Sequence, residues 1–449
     1  MATIQENTRF LRARLRSNFV KLATGGDWAL TQPAATRRNL IWFWLDGFFA
    51  SASDNIVVTY LVVYLVTVGA TQAQIGMMSS LSSLSAAVLL LPGAMLVERL
   101  GRRRGVVLVG GGWARIALLC LALLPFVANG PWLIAAAIAL AISRDAMANL
   151  SYPAWMAMTG DIVPMEGRGK FFSSRNFIMG LAGIVTTLVA GLVISRIQQP
   201  LGYQAMLLVA FGIGLFSVFS FSRLSDRPRP AALPQVKKPF SWKALLAEMR
   251  AHREFTTFAA ITALWNFTLN IAGPFFNVYM VQNLHADAAM IGLASIATSV
   301  ATMLVQPRLG VLNDRWGARR LTLISGLLIP ILPFCWLFID APWQIIPVNL
   351  LGGALWGGFN MGSFNYLLEI APEERRARYS AVFQIVVTLS LAVGAALGSF
   401  VVTQYGYMAV FLSSAVGRLV CMLLFAFLAA RAARVLRASH TAAARAAKG

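Results

Sequence analysis

Six ionisable side chains lie inside long apolar runs of this sequence: Asp46, Asp54, Arg115, Arg144, Asp145 and Arg418. A charge at bilayer depth costs about 2.5–3.5 kcal/mol even on a lenient insertion scale, so such residues persist where they pair with one another or do work. A carboxylate in this setting can take up and release a proton, and Asp54, Asp145 and Asp46 are the candidates for that role. Asp54, Arg115, Arg144, Asp145 and Arg418 fall near the middle of their runs. Asp46 precedes Asp54 by about 12 Å of helix, which places it nearer one surface, where it is expected to hydrate more easily. Neighbouring helical residues face about 100° apart, so Arg144 and Asp145 are expected to point into different spaces. One division pairs Asp145 with Arg115 and leaves Arg144 facing Asp54. The alternative is a single neutralised network with no transport role. Arg418 has no acid at its depth in the second half of the chain and must use carbonyls, amides such as Gln384, or an anion.

Uncharged polar groups add to this set. Asn266, Asn270, Asn277, Asn360 and Asn365 stand among Trp265, Phe267, Trp356, Phe359, Phe364 and Tyr366, and Gly273-Pro274 interrupts the run that holds the first three. A break of that kind frees backbone carbonyls toward a polar space. The candidate lining of a substrate cavity is therefore Arg144, Asn149, Tyr152, Trp155, Asn266, Asn270, Asn277, Trp356, Asn360 and Asn365. An intramembrane Asn also serves as helix-packing glue. Other chemistries find little material. Cys120, Cys335 and Cys421 stand singly in apolar runs, and His252, His285 and His440 lie in loops or the tail, so neither a metal centre nor a disulfide framework is expected. No G-x-x-x-x-G-K-[ST] segment is present, so no ATP motor, no cofactor and no enzyme activity is expected.

The elements that must position these residues are set by composition. Of 449 residues, 58% are hydrophobic and 12% charged, against about 25% charged in a soluble chain. Such a chain cannot cover a globule with a polar skin. Read at about 20 residues per crossing, the sequence holds twelve spans: 38–66, 71–97, 104–127, 131–158, 169–196, 201–223, 255–283, 288–312, 319–339, 342–370, 377–402 and 407–433. The expected class is an all-α polytopic membrane protein. The 38 Lys and Arg against 17 Asp and Glu give a net charge of +21. They fall in alternate loops, which is orientation in a bilayer and not a groove for nucleic acid. Both termini are then cytoplasmic in the cell membrane, with anionic lipid head groups as partners of the basic loops. The domains expected are a basic amphipathic cytoplasmic arm (1–37), a six-helix half (38–223), a cytoplasmic linker (224–254), a second six-helix half (255–433) and a basic tail (434–449). The arm carries Phe10, Leu11, Leu15, Phe19 and Leu22 at near-helical spacing, as an interfacial helix does.

The two halves repeat. Ala94-Met-Leu-Val-Glu98-Arg99-Leu-Gly101-Arg102-Arg103 matches Gly310-Val-Leu-Asn-Asp314-Arg315-Trp-Gly317-Ala-Arg319, 216 residues on (101 to 317). Asp161-Ile-Val-Pro164-Met-Glu166-Gly-Arg168 matches Glu369-Ile-Ala-Pro372-Glu-Glu374-Arg-Arg376, 208 residues on (161 to 369). Pro131-Trp132 recurs as Pro342-Trp343. A six-helix unit is duplicated in the same orientation.

With these motifs the sequence resembles the major facilitator superfamily of secondary transporters over about residues 38–433. The first loop is similar to the superfamily's G-x-x-x-D-R-x-G-R-R, with Ala94 and Glu98 as departures; the second has Ala318 at the first Arg of the closing pair. An R-x-x-Q-G motif in span 4 and a Gly-Pro pair in span 5 are not reproduced. The resemblance implies two six-helix pseudo-repeats that alternate access to a central cavity. It also implies a cytoplasmic gate of Glu98, Arg99, Arg102, Asp161, Arg168, Asp314, Arg315, Glu369 and Arg376. In that gate Glu98 would cap span 11 and Arg102 would reach Asp161. The function expected is transport of a small organic molecule by a monomer, coupled to protons, with export favoured over uptake. The alternative is an uncoupled carrier, a lipid flippase or a transporter-like sensor.

Overall fold

A computed structural model of the chain describes residues 17–226, 252–370 and 376–446. No strand occurs among them. The long helices are α1 (Ala34–Thr67), α2 (Gln72–Leu100), α3 (Arg103–Leu123), α4 (Gly130–Ile162), α5 (Arg168–Arg196) and α6 (Leu201–Ser222). From residue 253 on come α7 (Arg253–Ala272), α8 (Phe275–Gln282), α9 (Ala288–Trp316), α10 (Ala318–Leu328), α11 (Ile331–Cys335), α12 (Ile345–Ile370) and α13 (Arg376–Ala446). Among the described residues nine stretches are each long and apolar enough to cross a membrane. One of these, Val382–Leu428, has 47 residues, more than twice what a single crossing needs. It is broken at Gly406, whose φ of 80° and ψ of −179° no helix contains, and so supplies two crossings. The remaining two are α7–α8, divided at Gly273-Pro274 as the sequence suggests, and α12, whose glycines and asparagines dilute its hydropathy. The twelve expected spans are thereby accounted for.

Local rules set the ends. The turns between α2 and α3 and between α9 and α10 rest on Gly101 (φ 60°) and Gly317 (φ 80°), a left-handed backbone that a side chain resists. That repeated glycine is the structural content of the repeated loop motif.

Contacts gather the described residues into two units. Unit one holds 17–70, 88–226 and 287–296; unit two holds 71–87, 252–286, 297–370 and 376–446. The first part of α2 thus counts with unit two and the first part of α9 with unit one. In unit one the Tyr60 hydroxyl donates to the carbonyls of Thr187 (2.9 Å) and Ala288 (3.2 Å). In unit two Gly394 and Gly398 of α13 sit on the carbonyls of Phe267 and Ile271 of α7, the close approach small residues permit between membrane helices.

The described part of the amino-terminal arm packs against unit one. Residues 17–24 are helical and bury Val20 and Ala23 with Leu40, Phe43, Trp44, Met158 and Phe171. The Ser174 hydroxyl donates to the Leu22 carbonyl at 2.6 Å. Phe19 and Leu22, expected on the lipid-seeking face, remain exposed at 39% and 65%; Phe10, Leu11 and Leu15 lie outside the described residues.

Candidate functional site

The charges expected at mid-depth in unit one meet at Asp54. Arg115 of α3 donates to Asp54 Oδ1 at 2.7 Å and to the Ser53 hydroxyl at 2.9 Å. Arg144 of α4 donates to the same Oδ1 at 3.1 Å and to Asp145 Oδ1 at 2.9 Å. The expected pairing of Asp145 with Arg115 is therefore corrected: Arg115 pairs with Asp54, and Arg144 joins Asp54 to Asp145. The 100° step between successive residues governs where a side chain leaves the helix. A long, flexible arginine stem returns its guanidinium to the adjacent carboxylate regardless. Room for Arg115 comes from α6, where a Cβ on Gly214 would collide with the arginine side chain. Two cations and two acids make the cluster neutral. The arginine side chains are 7% and 14% exposed, the Asp54 and Asp145 side chains 41% and 37%. Both arginine bonds to Asp54 fall on Oδ1, so Oδ2 is the oxygen free to take a proton.

A second charged centre lies one helical stretch earlier. Asp46 is 5% exposed, accepts from the Ser217 hydroxyl at 2.7 Å and pairs with Arg175 at 3.5 Å. Arg175 also donates to the Phe43 carbonyl at 3.1 Å and lies over the Phe43 ring at 4.3 Å and the Trp155 ring at 5.8 Å. Gly47 leaves the space it occupies. The expectation that Asp46 hydrates easily is corrected by this burial: α5, α6 and an aromatic sleeve enclose it. Arg175 is the residue the sequence reading missed. Its signal was available, because it lies seven residues into the apolar run 169–196. Tyr152, 47% exposed, stacks on Trp155 at 6.0 Å, so these two candidate cavity residues belong with the Asp46 centre.

At the corner of unit one where the cytoplasmic gate is expected, it is Arg103, and not Arg102, that reaches Asp161, at 2.6 Å. Arg102 precedes the first turn of α3 and is exposed; Arg103 is in that turn and also meets Asp226 at 3.1 Å. The Asp226 carboxylate accepts from the Arg104 backbone N–H at 3.0 Å, the arrangement that satisfies a helix start. A cavity of about 230 Å³ beside them is lined by Thr36, Asn39, Arg103, Asp161 and Asp226. Arg168 donates to the carbonyls of Gly160 (2.9 Å) and Val163 (3.0 Å), closing the end of α4. Arg99, Asp314, Arg315 and Glu369 are exposed, with no ion pair between them among the described residues. The side chains of Glu98 and Arg376 lie outside what is described.

In unit two the Asn270 amide donates to the Leu391 carbonyl at 2.7 Å and so ties α7 to α13, while the Asn266 amide donates to the Thr262 carbonyl of its own helix at 2.8 Å. Asn149 in unit one has a partner as well. Among the described residues Asn277, Asn360 and Asn365 make no side-chain bond, and Asn360 is exposed. Trp356 packs edge-on to Trp265 at 6.2 Å. Arg418 is buried and donates to the Leu269 carbonyl at 3.3 Å. Among the described residues no group of three or more His, Cys, Asp or Glu could hold a metal ion.

Comparison with known proteins gives a consistent picture. The sequence profile described as "Major Facilitator Superfamily" matches residues 43–278 and 256–447. The multidrug resistance protein MdtG of Serratia proteamaculans is 21% identical over 384 residues, covering 84% of this chain and 90% of that one. The multi-drug resistance efflux pump PmrA of Streptococcus pneumoniae is 23% identical over 382 residues, covering 83% and 91%. Among solved structures, the xylose transporter XylE from E. coli aligns with a TM-score of 0.63 at 14% identity, covering 85% of this chain and 94% of that one. The nucleoside transporter NupG aligns with a TM-score of 0.60 at 15% identity, covering 86% and 98%.

Proposed function

The chain belongs to the major facilitator superfamily, and from that premise we propose that it is a proton-coupled exporter of small organic molecules in which Asp54 carries the proton. That it is a multi-pass membrane protein and a secondary transporter follows from its family and fold; the coupling, the direction and the residues are our reading. Residues 38–223 and 255–433 are taken as the two halves that alternate, joined by 224–254. The arm 1–37, the linker and the tail 434–449 are placed in the cytoplasm beside anionic lipid, with the protein working as a monomer.

The observation that carries the proposal is a carboxylate held at one oxygen by two guanidiniums while its other oxygen is open and its side chain 41% exposed. When Asp54 is ionised it binds Arg115 and Arg144 together and links α1 to α3 and α4. A proton on Oδ2 removes the charge that holds them, weakening two charge-assisted bonds at once. Arg144 is then left to Asp145, and α1 is released from α4. A cationic substrate that competes for Asp54 displaces the proton, which is antiport. The efflux and multidrug names of MdtG and PmrA support export over uptake.

The same geometry supports the alternative of an uncoupled carrier, since an aspartate clasped by two arginines is also a stable structural link. The two readings separate in proteoliposomes. Asp54→Asn should abolish accumulation driven by a pH gradient while leaving substrate exchange without a gradient. If Asp54→Asn still concentrates substrate in response to pH, the proton site is elsewhere, with Asp145 next.

A further inference from the structure

The buried guanidinium of unit two has a counterpart in unit one, and the comparison shows what it lacks. Gly202-Tyr203-x-Ala205 opens α6, and Gly406-Tyr407-x-Ala409 opens the second arm of α13, 204 residues on (202 to 406). The same offset carries Ala210 to Ser414 and Gly214 to Arg418. At this level each unit joins two helices by one hydroxyl: Ser53 donates to the Ala210 carbonyl at 2.7 Å, and Ser414 donates to the Thr268 carbonyl at 2.7 Å. Thr268 and Leu269 of α7 therefore stand where Ser53 and Asp54 stand in α1.

Both niches hold a guanidinium. In unit one it is that of Arg115, lying against Gly214 and answered by Asp54 at 2.7 Å. In unit two it grows from the position of Gly214 itself, and the place of the aspartate is taken by Leu269. Arg418 is 3% exposed, and its bond among the described residues goes to the Leu269 carbonyl at 3.3 Å. That carbonyl already accepts the Gly273 N–H at 3.1 Å. Among the described residues the Nε of Arg418, like that of Arg115, has no partner, but Arg115 has a carboxylate and Arg418 has none. A guanidinium keeps its charge at physiological pH, and burying it without a counter-charge is among the most costly arrangements a protein can hold. The planar fork of donors is shaped to receive a carboxylate or a small anion.

We propose that Arg418 is an anion receptor: a small monovalent anion, halide or carboxylate, binds its guanidinium between α7 and the second arm of α13, in the role Asp54 has for Arg115. The anion comes either from solution or as the carboxylate of a transported molecule; only this second source rests on the transporter reading. The test is thermal unfolding of the full-length protein in detergent with chloride replaced by isethionate, neither halide nor carboxylate, at constant ionic strength, and separately with formate. Chloride or formate should raise the midpoint saturably by several degrees in the parent and by nothing in Arg418→Met, which keeps the stem and loses the charge. Arg418→Met should also be no less stable than the parent in isethionate. An anion effect that persists in Arg418→Met, or a parent equally stable in all three salts, overturns the proposal. Should Arg418→Met not fold, binding of radiolabelled chloride and of radiolabelled formate to the parent decides: saturation of either at one site per chain supports the receptor, and no saturable binding of either overturns it. A midpoint raised by formate and carboxylate substrates but not by chloride assigns the receptor to the substrate. These binding measurements need no transport, so a failure of coupling at Asp54 leaves them readable.

Discussion

Replacing Asp46 by Asn tests whether the buried pair with Arg175 is a structural element of unit one. Asn still accepts from Ser217, so the hydroxyl bond of 2.7 Å survives and only the charge is removed. Arg175 is then left with the Phe43 carbonyl, the Met179 sulfur and two aromatic faces. Removing one partner of a buried pair costs about 3–5 kcal/mol. The contact of 3.5 Å is long for an ion pair, which argues for the lower end, about 3 kcal/mol. At roughly 2 °C per kcal/mol for a unit of this size, the unfolding midpoint should fall by about 6 °C. Arg175→Met should fall further, because it strands a carboxylate whose remaining partner is a hydroxyl. The double variant Asp46→Asn/Arg175→Met should be more stable than the sum of the single losses, since it removes both charges together. The assay is tryptophan scanning fluorimetry, with Trp155 beside the pair as a local reporter. A midpoint within 1 °C of the parent for Asp46→Asn, with strictly additive losses in the double variant, would refute the reasoning.

Arg103→Gln should loosen the corner that joins α3, α4 and the end of α6, because it breaks two ion pairs at once, while Arg102→Gln should leave it nearly unchanged; protection of the 100–104 backbone in hydrogen exchange measures both. A cysteine introduced between residues 227 and 251 should be labelled from the cytoplasmic side alone, as the crowding of Lys and Arg in that segment requires, and labelling from the outside would end the twelve-span topology.

Membership of an all-α membrane class was legible from the sequence because it depends on one-dimensional quantities. Apolar run length decides how many crossings exist, and Gly101 and Gly317 mark turns that need a left-handed backbone whatever surrounds them. That Asp54, Arg115 and Arg144 share one level of unit one was legible for the same reason, since rise per residue converts position into height along a helix. Partnership was not. Whether Arg115 meets Asp145 or Asp54 depends on which helix faces it and on a missing Cβ at Gly214, about 100 residues away in the chain. The burial of Asp46 likewise depends on Phe43, Trp155 and Ser217 converging from three helices, and the choice of Arg103 over Arg102 on which of two adjacent donors the first turn of α3 directs at Asp161. A charge in a bilayer must find a counter-charge, and that much the chain states by itself; which one it finds is decided by side-chain reach and interhelical distance, and these exist only once the helices have packed.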